Sequence, residues 1–452
     1  MIEKLNNTND LLQMMFNSGR VRLELNGLRA FGPSLLNRDE NGDAKKVNVG
    51  CIPRTAISSQ CRKSAIRNEC IEVQSALSRR APEIITAYIC DHYGVDRKNE
   101  ELVKFYLTLC YSLLTEKEKE LAQGKLSIPS KDSNPNWLID TPVRICAADV
   151  KRIADSIMKY FSTDADFGKI EEKKSDDEKK KSYEFTKEES KESFVKLYKE
   201  LKAAIASYAV EYDVCLFGRM ATSTIVKSYD SAANFNEAYS TTPCCFDSDF
   251  FTTRDTLYDS ASVLFSELDT ATGSGHMNSR DITADTFYWY SNYNLNAYIE
   301  NIMIGFDYSD KSKENEEALK MRIREAFDYL IEVTEKTITT VPTTMQHQMA
   351  SSPDPAIVHV AVKKNSQPKT MDFAFAEPVY AKDGVSVLDE SVNRFVEEAC
   401  DNTFETGEFM MECWLSKAKY ANEIKNAAGA ERTNLHGLIS ELKRVLYETI
   451  DC

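Results

Sequence analysis

Glycine is scarce in this chain, which has only 16 among its 452 residues. Loops that cradle phosphates need closely spaced glycines, and neither G-x-x-x-x-G-K-[ST] nor G-x-G-x-x-G after a strand occurs. The five histidines, at 92, 276, 347, 359 and 436, are too dispersed for metal-ligand spacing. The patterns H-E-x-x-H and G-x-S-x-G are also absent. We therefore expect no catalytic site, metal or cofactor, and we interpret His276, which follows Gly273-Ser274-Gly275, as a loop residue.

Long hydrophobic runs are missing as well. No apolar run approaches the about 18 residues that cross a bilayer, and the first residues, MIEKLNNTNDLLQMMF, do not resemble a signal peptide. We therefore expect a cytoplasmic protein without membrane contact.

The twelve cysteines form no C-x-x-C pair, and only Cys244 and Cys245 are adjacent. This favours reduced and mostly buried thiols over disulfides or zinc.

Positive charge is in deficit overall. The chain has 56 Lys and Arg against 71 Asp and Glu, a net charge of −15, which argues at first against a protein that coats nucleic acid. However, residues 20–67 hold ten Lys and Arg against four Asp and Glu, a balance of +6 that leaves −21 elsewhere. These cations lie in a loop and near a helix N-terminus, where backbone N–H groups and cations together hold phosphates. The local balance favours phosphate binding.

The remaining pattern mixes strands and helices, with 42% hydrophobic residues to build a core. Alternation predicts a half-buried strand at 21–28, a loop follows at 31–43, and Ser58 or Ser59 caps a helix from Cys61 to about Arg80. Further strands are predicted at 213–217, 283–293 and 356–362. Further helices are predicted at 84–93, 98–122, 143–161, 187–211, 312–336, 390–400, 407–427 and 434–449. Together they predict an α+β fold with a helical block between two strand-bearing parts.

Two other segments have a distinctive composition. Residues 169–192 contain 8 Lys and 9 Asp and Glu with little to bury, which predicts a solvated, disordered insertion. The string Gly218-Arg219-Met220-Ala221-Thr222-Ser223 follows the predicted strand at 213–217. Its arginine and hydroxyls suit a sugar–phosphate backbone, and a methionine can wedge between bases. The same string is also typical of a strand end and a turn.

In order along the chain, seven strings resemble the CasC family, the backbone subunit of the type I-E CRISPR surveillance complex Cascade. Together they cover roughly residues 20–390. The strings are Pro33-Ser34-Leu35-Leu36-Asn37-Arg38-Asp39; Ile57-Ser58-Ser59-Gln60 with Lys63 and Arg67; Gly218-Arg219-Met220-Ala221-Thr222-Ser223; Asp247-Ser248-Asp249; Gly273-Ser274-Gly275-His276; Phe287-Tyr288-Trp289-Tyr290-Ser291-Asn292-Tyr293-Asn294-Leu295; and Ala381-Lys382-Asp383-Gly384.

The resemblance implies a hand-shaped α+β protein. Its palm is a modified RNA-recognition-motif (ferredoxin-like) fold, expected at 19–66, 205–217 and 256–452 with a helical C-terminal extension. Helical fingers are expected at 67–204 and a β-hairpin thumb at 218–255. Compared with the family, this chain has about 18 extra residues before the first strand, the charged insertion at 169–192 and the extension after about 390.

The resemblance also implies a non-catalytic, sequence-independent role on guide RNA (crRNA). Copies of the chain would polymerise along the RNA spacer, each thumb reaching the next copy, and present the guide for pairing with target DNA. Expected partners are the large subunit, the small subunit, the guide-end capping subunit and the guide-processing endoribonuclease. Expected RNA contacts are Arg38, Ser58, Ser59, Gln60, Lys63, Arg67, Arg219, Met220, Ala221 and Thr222. Lys45 and Lys46 lie in a variable loop, so the resemblance does not extend to them.

Two enzymatic alternatives stay open. Backbone proteins of type III complexes cleave target RNA with a loop aspartate, for which Asp39 or Asp43 would be the candidates here. A guide-processing endoribonuclease shares the RNA-recognition fold but needs a glycine-rich loop near its C-terminus. Residues 400–452 contain only the dispersed Gly407, Gly429 and Gly437.

Overall fold

The computed structural model describes residues 19–71, 75–129, 137–161, 170–173, 182–253, 276–306 and 312–451. Within these ranges the strands are β1 (Val21–Ala30), β2 (Lys46–Val49), β3 (Ile52–Ile57), β4 (Ser75–Ser78), β5 (Leu126–Ser127), β6 (Val143–Cys146), β7 (Ile170–Lys173), β8 (Ser182–Phe185), β9 (Ala233–Phe235), β10 (Ala238–Ser240), β11 (Asp247–Thr253), β12 (His276–Ile282), β13 (Thr286–Asn294), β14 (Ile357–Lys364), β15 (Glu408–Ser416) and β16 (Arg432–Thr433).

The α-helices in the same ranges are α1 (Ser59–Glu69), α2 (Ala81–Tyr93), α3 (Glu100–Thr115), α4 (Glu118–Ala122), α5 (Ala147–Tyr160), α6 (Glu188–Ala204), α7 (Tyr212–Phe217), α8 (Leu295–Met303), α9 (Lys313–Thr339), α10 (Gln346–Met349), α11 (Val387–Cys400), α12 (Ala421–Ala428) and α13 (Leu435–Asp451). Short 3₁₀ helices occur at Phe373–Phe375 and Ala418–Tyr420.

A nine-stranded sheet forms the centre of the molecule. Its order is β16-β15-β14-β1-β13-β10-β3-β2, with β9 also paired to β13. The central strand β1 pairs antiparallel with β13 on one side and with β14 on the other, whereas β15 and β16 pair in parallel. A mixed sheet with many helices confirms the predicted α+β class.

Helices cover both faces of this sheet. Side chains alternate between the two faces along a strand. On one face, Leu23 and Leu25 of β1 share a buried cluster with α7, α8, α9 and α13. On the other face, Leu28 of β1 packs in a cluster with α11 and α12. The sheet is therefore the middle of three layers.

The strand β1 is buried on both faces, so the prediction of a half-buried strand is wrong. Its polar side chains are internal and have partners: Asn26 accepts a hydrogen bond from the Tyr288 hydroxyl at 2.8 Å, and Glu24 lies 3.3 Å from the Lys363 ammonium. Lys363 also contacts Glu405 at 2.9 Å. Burial opposes ionisation of Glu405, but hydrogen bonds from a neighbouring hydroxyl, a backbone amide and Lys363 hold its pKa at about 2.

A second hydrophobic cluster lies in the helical block. Fully buried Ile89, Leu109, Ile153 and Leu197 come from α2, α3, α5 and α6. The same cluster includes residues 225 and 226, which follow α7 in the chain. The segment after α7 therefore packs partly against the helical block and not only against the sheet.

The strands β11 and β12 form a separate antiparallel hairpin, in which Asp247 pairs with Ile282 and Thr253 with His276. Its second strand lies beyond residue 255, so the predicted thumb at 218–255 contains only half of this hairpin. His276 begins β12 and does not lie in a loop, and residues 254–275 are outside the described part of the chain.

The run 213–217, predicted to be a strand, lies in the helix α7. A short apolar run fits a buried strand and a buried helix equally well by periodicity. Here Val214, Cys215 and Leu216 are fully buried beneath α8 and α9. Gly218 follows the helix with a φ of 71°, and its positive φ suits glycine.

Three predicted helices include or conceal strands. The helix predicted from Cys61 to about Arg80 ends at Glu69, and β4 occupies part of the remainder. This strand pairs with β6, so residues 143–146, predicted as the start of another helix, also form a strand. The predicted helix at 407–427 begins as β15, which pairs with β14 along its length. Sheet pairing overrides helical periodicity in these segments. The helix predicted at 98–122 is divided into α3 and α4 at Glu116, whose backbone is extended.

The charged segment 169–192 is structured where it is described. The strands β7 and β8 pair in antiparallel fashion, and Tyr183 of β8 is 7% exposed within the second cluster. From residue 188 the chain is helical in α6. These parts contradict the disorder predicted for the insertion, and residues 174–181 lie outside the described ranges.

Candidate nucleic-acid interface

Asn37 joins the loop after β1 to the start of α1. Its side-chain oxygen accepts a hydrogen bond from the Ser58 backbone N–H at 2.8 Å. The Ser58 hydroxyl in turn accepts from the Cys61 N–H at 3.2 Å, which makes Ser58 the N-cap of α1. This confirms the cap predicted at Ser58 or Ser59. Arg38 follows Asn37 with an exposed side chain, so it lies close to the start of the helix.

The first turn of α1 contains no acidic residue. Amide groups at a helix N-terminus carry partial positive charge and attract anions, and no carboxylate in this turn neutralises that charge. Ser59 is half-buried and Gln60 is exposed. Together with Arg38, this end of the helix has the composition of a phosphate-binding surface.

The next cations on α1 face inward. Lys63 donates to the Ala233 carbonyl at 2.8 Å, and burial, with nearby arginines acting in the same direction, lowers its pKa to about 8. Arg67 binds the Asp213 carboxylate at 2.8 Å and is 12% exposed. The two share one helix face, as their spacing predicts. That face packs on β9 and α7, so these side chains attach α1 to the elements on either side of the string 218–223.

Arg219 occupies the interior, contrary to the prediction that it contacts RNA. Both its side chain and that of Asp149 are 0% exposed, and they form a two-point ion pair in which Nη2 lies 3.1 Å from Oδ1. The guanidinium also donates to the Tyr208 hydroxyl at 3.0 Å and to the Lys227 carbonyl at 2.8 Å. Arg219 therefore fixes the segment after α7 to helix α5 and is not available to a phosphate.

The residues after Arg219 return to the surface. Met220 is 90% exposed, Ala221 is half-buried and Thr222 is exposed. The Ala221 amide donates to the Ser228 hydroxyl at 3.0 Å. An exposed methionine beside a rigidly held arginine fits the predicted wedge between bases.

The basic segment 20–67 is less exposed than its charge suggests. Arg29, Arg54 and Arg62 are 4%, 0% and 8% exposed, and the guanidinium of Arg54 donates to three backbone carbonyls. Lys45 pairs with Glu237 at 2.8 Å. The balance of +6 therefore overstates the charge at the surface, where Arg38 is one of the exposed cations.

The β11–β12 hairpin adds surface residues that sequence reasoning did not select. Phe250 and Met277 are 62% and 63% exposed. The hairpin base is attached to the Arg38 loop, because the Thr283 and Ser34 backbones exchange hydrogen bonds of 2.8 and 2.9 Å. Exposed aromatic and thioether groups provide stacking surfaces for bases. Adjacent phenylalanines in a polar stretch were the available signal in the sequence.

Neither a metal site nor a disulfide occurs in the described ranges. No group of three or more His, Cys, Asp or Glu there could hold a metal ion, and the cysteines are free and mostly buried or half-buried.

Asp39, a candidate in the RNase alternative, accepts hydrogen bonds from the Asn41 and Asp43 amides at 2.9 and 3.0 Å and so shapes its own loop. No helix in these ranges has the length and apolarity to cross a membrane.

The fold is similar to that of a chain in a solved RNA-guided complex. A chain of a solved "CRISPR RNA-guided surveillance complex, pre-nicking" superposes with a TM-score of 0.63 and 22% identity, covering 93% of this chain and 100% of that chain. A chain of a "CRISPR RNA-guided surveillance complex" gives a TM-score of 0.47 at 17% identity, covering 93% of this chain and 98% of that chain. Comparison with curated protein sequences gives no significant match.

The family is shown by the sequence itself. The model of the CT1975-like protein family matches residues 23–441, and the chain belongs to this family.

Proposed function

We propose that this chain is a crRNA-binding backbone subunit of a CRISPR surveillance complex, of the type I-E CasC kind. In this role it polymerises along the guide spacer and holds the RNA for pairing with a target DNA strand. Its further partners are the large, small and guide-end capping subunits and the guide-processing endoribonuclease. Family membership and the likeness of fold to a chain of such a complex support this role.

One arrangement carries the proposal. The Arg38 loop, the N-terminus of α1 and the segment after Gly218 come from separate parts of the chain. Asn37 joins the first two, and Lys63 and Arg67 join α1 to β9 and α7, the elements on either side of the third. The joined surface exposes cationic, amide, hydroxyl and thioether groups, a chemistry that suits an RNA backbone and its bases without selecting a sequence.

A palm of the RNA-recognition kind is part of the proposal. β13, β1 and β14 are neighbours, β1 is antiparallel to both, and α8 and α9 connect β13 to β14. This order resembles the split βαβ unit of ferredoxin-like folds and supports the proposal. We assign the palm to 19–66, 205–217 and 256–452 without β12, and the fingers to 67–204. We assign the thumb to the β11–β12 hairpin.

The proposed role is non-catalytic. The Asp39 carboxylate is engaged by amides of its own loop, which accounts for its position without a reaction. With RNA complementary to the guide and Mg²⁺ present, the wild type and Asp39→Ala should both leave the RNA intact. Cleavage that disappears in Asp39→Ala would instead establish the RNase alternative.

Binding to two single-stranded RNAs of unrelated sequence tests the proposal. We expect similar affinity for both and RNA-dependent filaments in electron micrographs. Met220→Ala should weaken binding by roughly 5- to 150-fold, since stacking on one base contributes about 1–3 kcal/mol. Arg38→Ala should reduce the log–log salt slope by about 0.7, the value for one phosphate contact on a single strand.

Matched controls separate binding from folding. Met321, 62% exposed on α9, and Arg20, exposed at the opposite end of β1 from the Arg38 loop, should both tolerate alanine without loss of RNA. The proposal fails if Met220→Ala and Met321→Ala bind RNA equally well, or if only one of the two RNA sequences is bound.

A further inference from the structure

A small cavity lies between the sheet and helices α1 and α9. It measures about 40 Å³, and its wall includes Arg29 of β1, Arg62 of α1 and the aromatic rings of Phe31, Phe287 and Trp289. A cavity that holds one water molecule needs roughly 10–15 Å³ on the same measure, so this one has room for one small ion.

The two arginines bring positive charge into this wall that is only partly neutralised. They are 4% and 8% exposed, and within the described ranges neither forms an ion pair with a carboxylate, although the nearby charge of Asp354 favours the charged form of Arg29. Burial lowers the pKa of Arg29 and of Arg62 to about 10, and the charge of Arg29 acts on Arg62 in the same direction. Buried charges are normally paired, because removing a charge from water is costly.

Protein groups compensate for only part of this charge. Arg29 donates to the Thr340 carbonyl at 2.8 Å and to the Ile338 carbonyl, so it caps the C-terminus of α9. A helix C-terminus carries about half a negative charge. Arg62 donates through Nη1 to the Asn236 side chain and the Tyr290 carbonyl, both at 3.1 Å. Carbonyl and amide oxygens satisfy hydrogen bonds but supply no full negative charge.

The rest of the wall is largely aromatic. The face of an aromatic ring attracts a cation. The Arg62 guanidinium already lies over the Trp289 ring, 5.4 Å from its centroid. A negative ion in the cavity would therefore meet two guanidinium groups, and a cation would be repelled by both.

We propose that Arg29 and Arg62 form a binding site for a single halide-sized anion. The anion neutralises the charges of Arg29 on β1 and Arg62 on α1, and so stabilises the packing of α1 against β1. None of the proposed RNA contacts lines this cavity, and the site does not depend on the proposed function.

Thermal unfolding of the RNA-free full chain tests the site. Sodium chloride is compared with sodium gluconate at equal ionic strength, because gluconate is too large for the cavity. A ligand that binds only the folded state raises the melting temperature with the logarithm of its concentration above Kd. We expect a higher melting temperature in chloride than in gluconate. The control Arg20→Gln, at an exposed arginine, should keep the full difference.

Arg62→Gln and Arg29→Gln should abolish the difference between chloride and gluconate. Should either fail to fold, Ala238→Val tests the site with both arginines retained, because Ala238 lines the cavity and is 2% exposed. Crystals of the wild type soaked in bromide should show an anomalous peak between Arg29 and Arg62. An unchanged chloride effect in Ala238→Val, or bromide found only elsewhere as an adventitious ion, would overturn the proposal.

Discussion

The buried pair of Arg219 and Asp149 gives the sharpest test of how the RNA-facing segment is held. Both side chains are fully buried, and the guanidinium contacts both carboxylate oxygens, the Tyr208 hydroxyl and the Lys227 carbonyl. Removing one partner of a buried pair leaves the other charge unpaired, which costs about 3–5 kcal/mol. We therefore expect Arg219→Met to lower the free energy of unfolding by about that amount.

The double variant Arg219→Met with Asp149→Leu distinguishes a structural role from RNA binding. Replacing a whole buried pair by apolar groups is often neutral or stabilising, so the double variant should recover most of the stability lost in Arg219→Met. Urea unfolding of both variants measures this, followed by RNA binding on the folded fraction. If Arg219→Met is as stable as the wild type and loses RNA binding, Arg219 contacts RNA and the structural assignment is wrong.

Acid unfolding of the same proteins provides a second measurement. Burial opposes ionisation of Asp149, but hydrogen bonds and the charge of Arg219 outweigh it, so the pKa of Asp149 lies below its usual value. A carboxyl group with a lowered folded-state pKa stabilises the protein above its unfolded-state pKa, and this stability is lost as the pH falls through the folded-state pKa. The unfolding free energy of the double variant should therefore fall less steeply than that of the wild type as the pH drops below about 4.

Three further outcomes are expected. Gly218→Ala should unfold at lower urea, because φ is 71° and a Cβ would lie 2.7 Å from the Tyr229 carbonyl oxygen; an unchanged midpoint would contradict this. In the wild type the unfolding free energy should fall as the pH drops from about 4.5 to about 2, the folded-state pKa of Glu405. Glu405→Gln should make this fall less steep, which urea titrations at each pH measure. An unchanged dependence of the unfolding free energy on pH would refute the assigned ion pair. The double variant Lys63→Ala with Arg67→Ala should lower both the stability and the amount of RNA retained, because both cations bind protein oxygens. The log–log salt slope of RNA binding should fall by less than about 1.4, the value for two single-strand contacts. A fall of about 1.4 at unchanged stability would show that both side chains contact RNA instead.

Local signals predicted the fold where they were strong. Alternation located β1, the cap located the start of α1 at Ser58, and helical periodicity located α9. Local signals gave the wrong element where tertiary contacts determine the secondary structure. Residues 213–217 form a helix that packs beneath two other helices, and the strand β15 depends on pairing with β14, which is distant in sequence.

The candidate surface shows the same division between local and long-range information. The exposure of Arg38, Gln60 and Met220 agrees with their selection from the sequence. The burial of Arg219 could not be foreseen, because its partner Asp149 lies 70 residues away on α5. Residue type and spacing identify cations but do not show which of them already have a carboxylate.

The two edges of the central sheet bear on how copies of this chain can meet. One edge strand, β2, has four residues with alternating exposure, and the other, β16, has only two. Short edges offer few free backbone groups to a strand from another molecule. In the proposed filament, contacts between copies would therefore depend on side chains and on RNA and not on a continuous sheet. Such an assembly can be taken apart by salt or by removal of RNA, whereas a fibre joined through backbone hydrogen bonds could not.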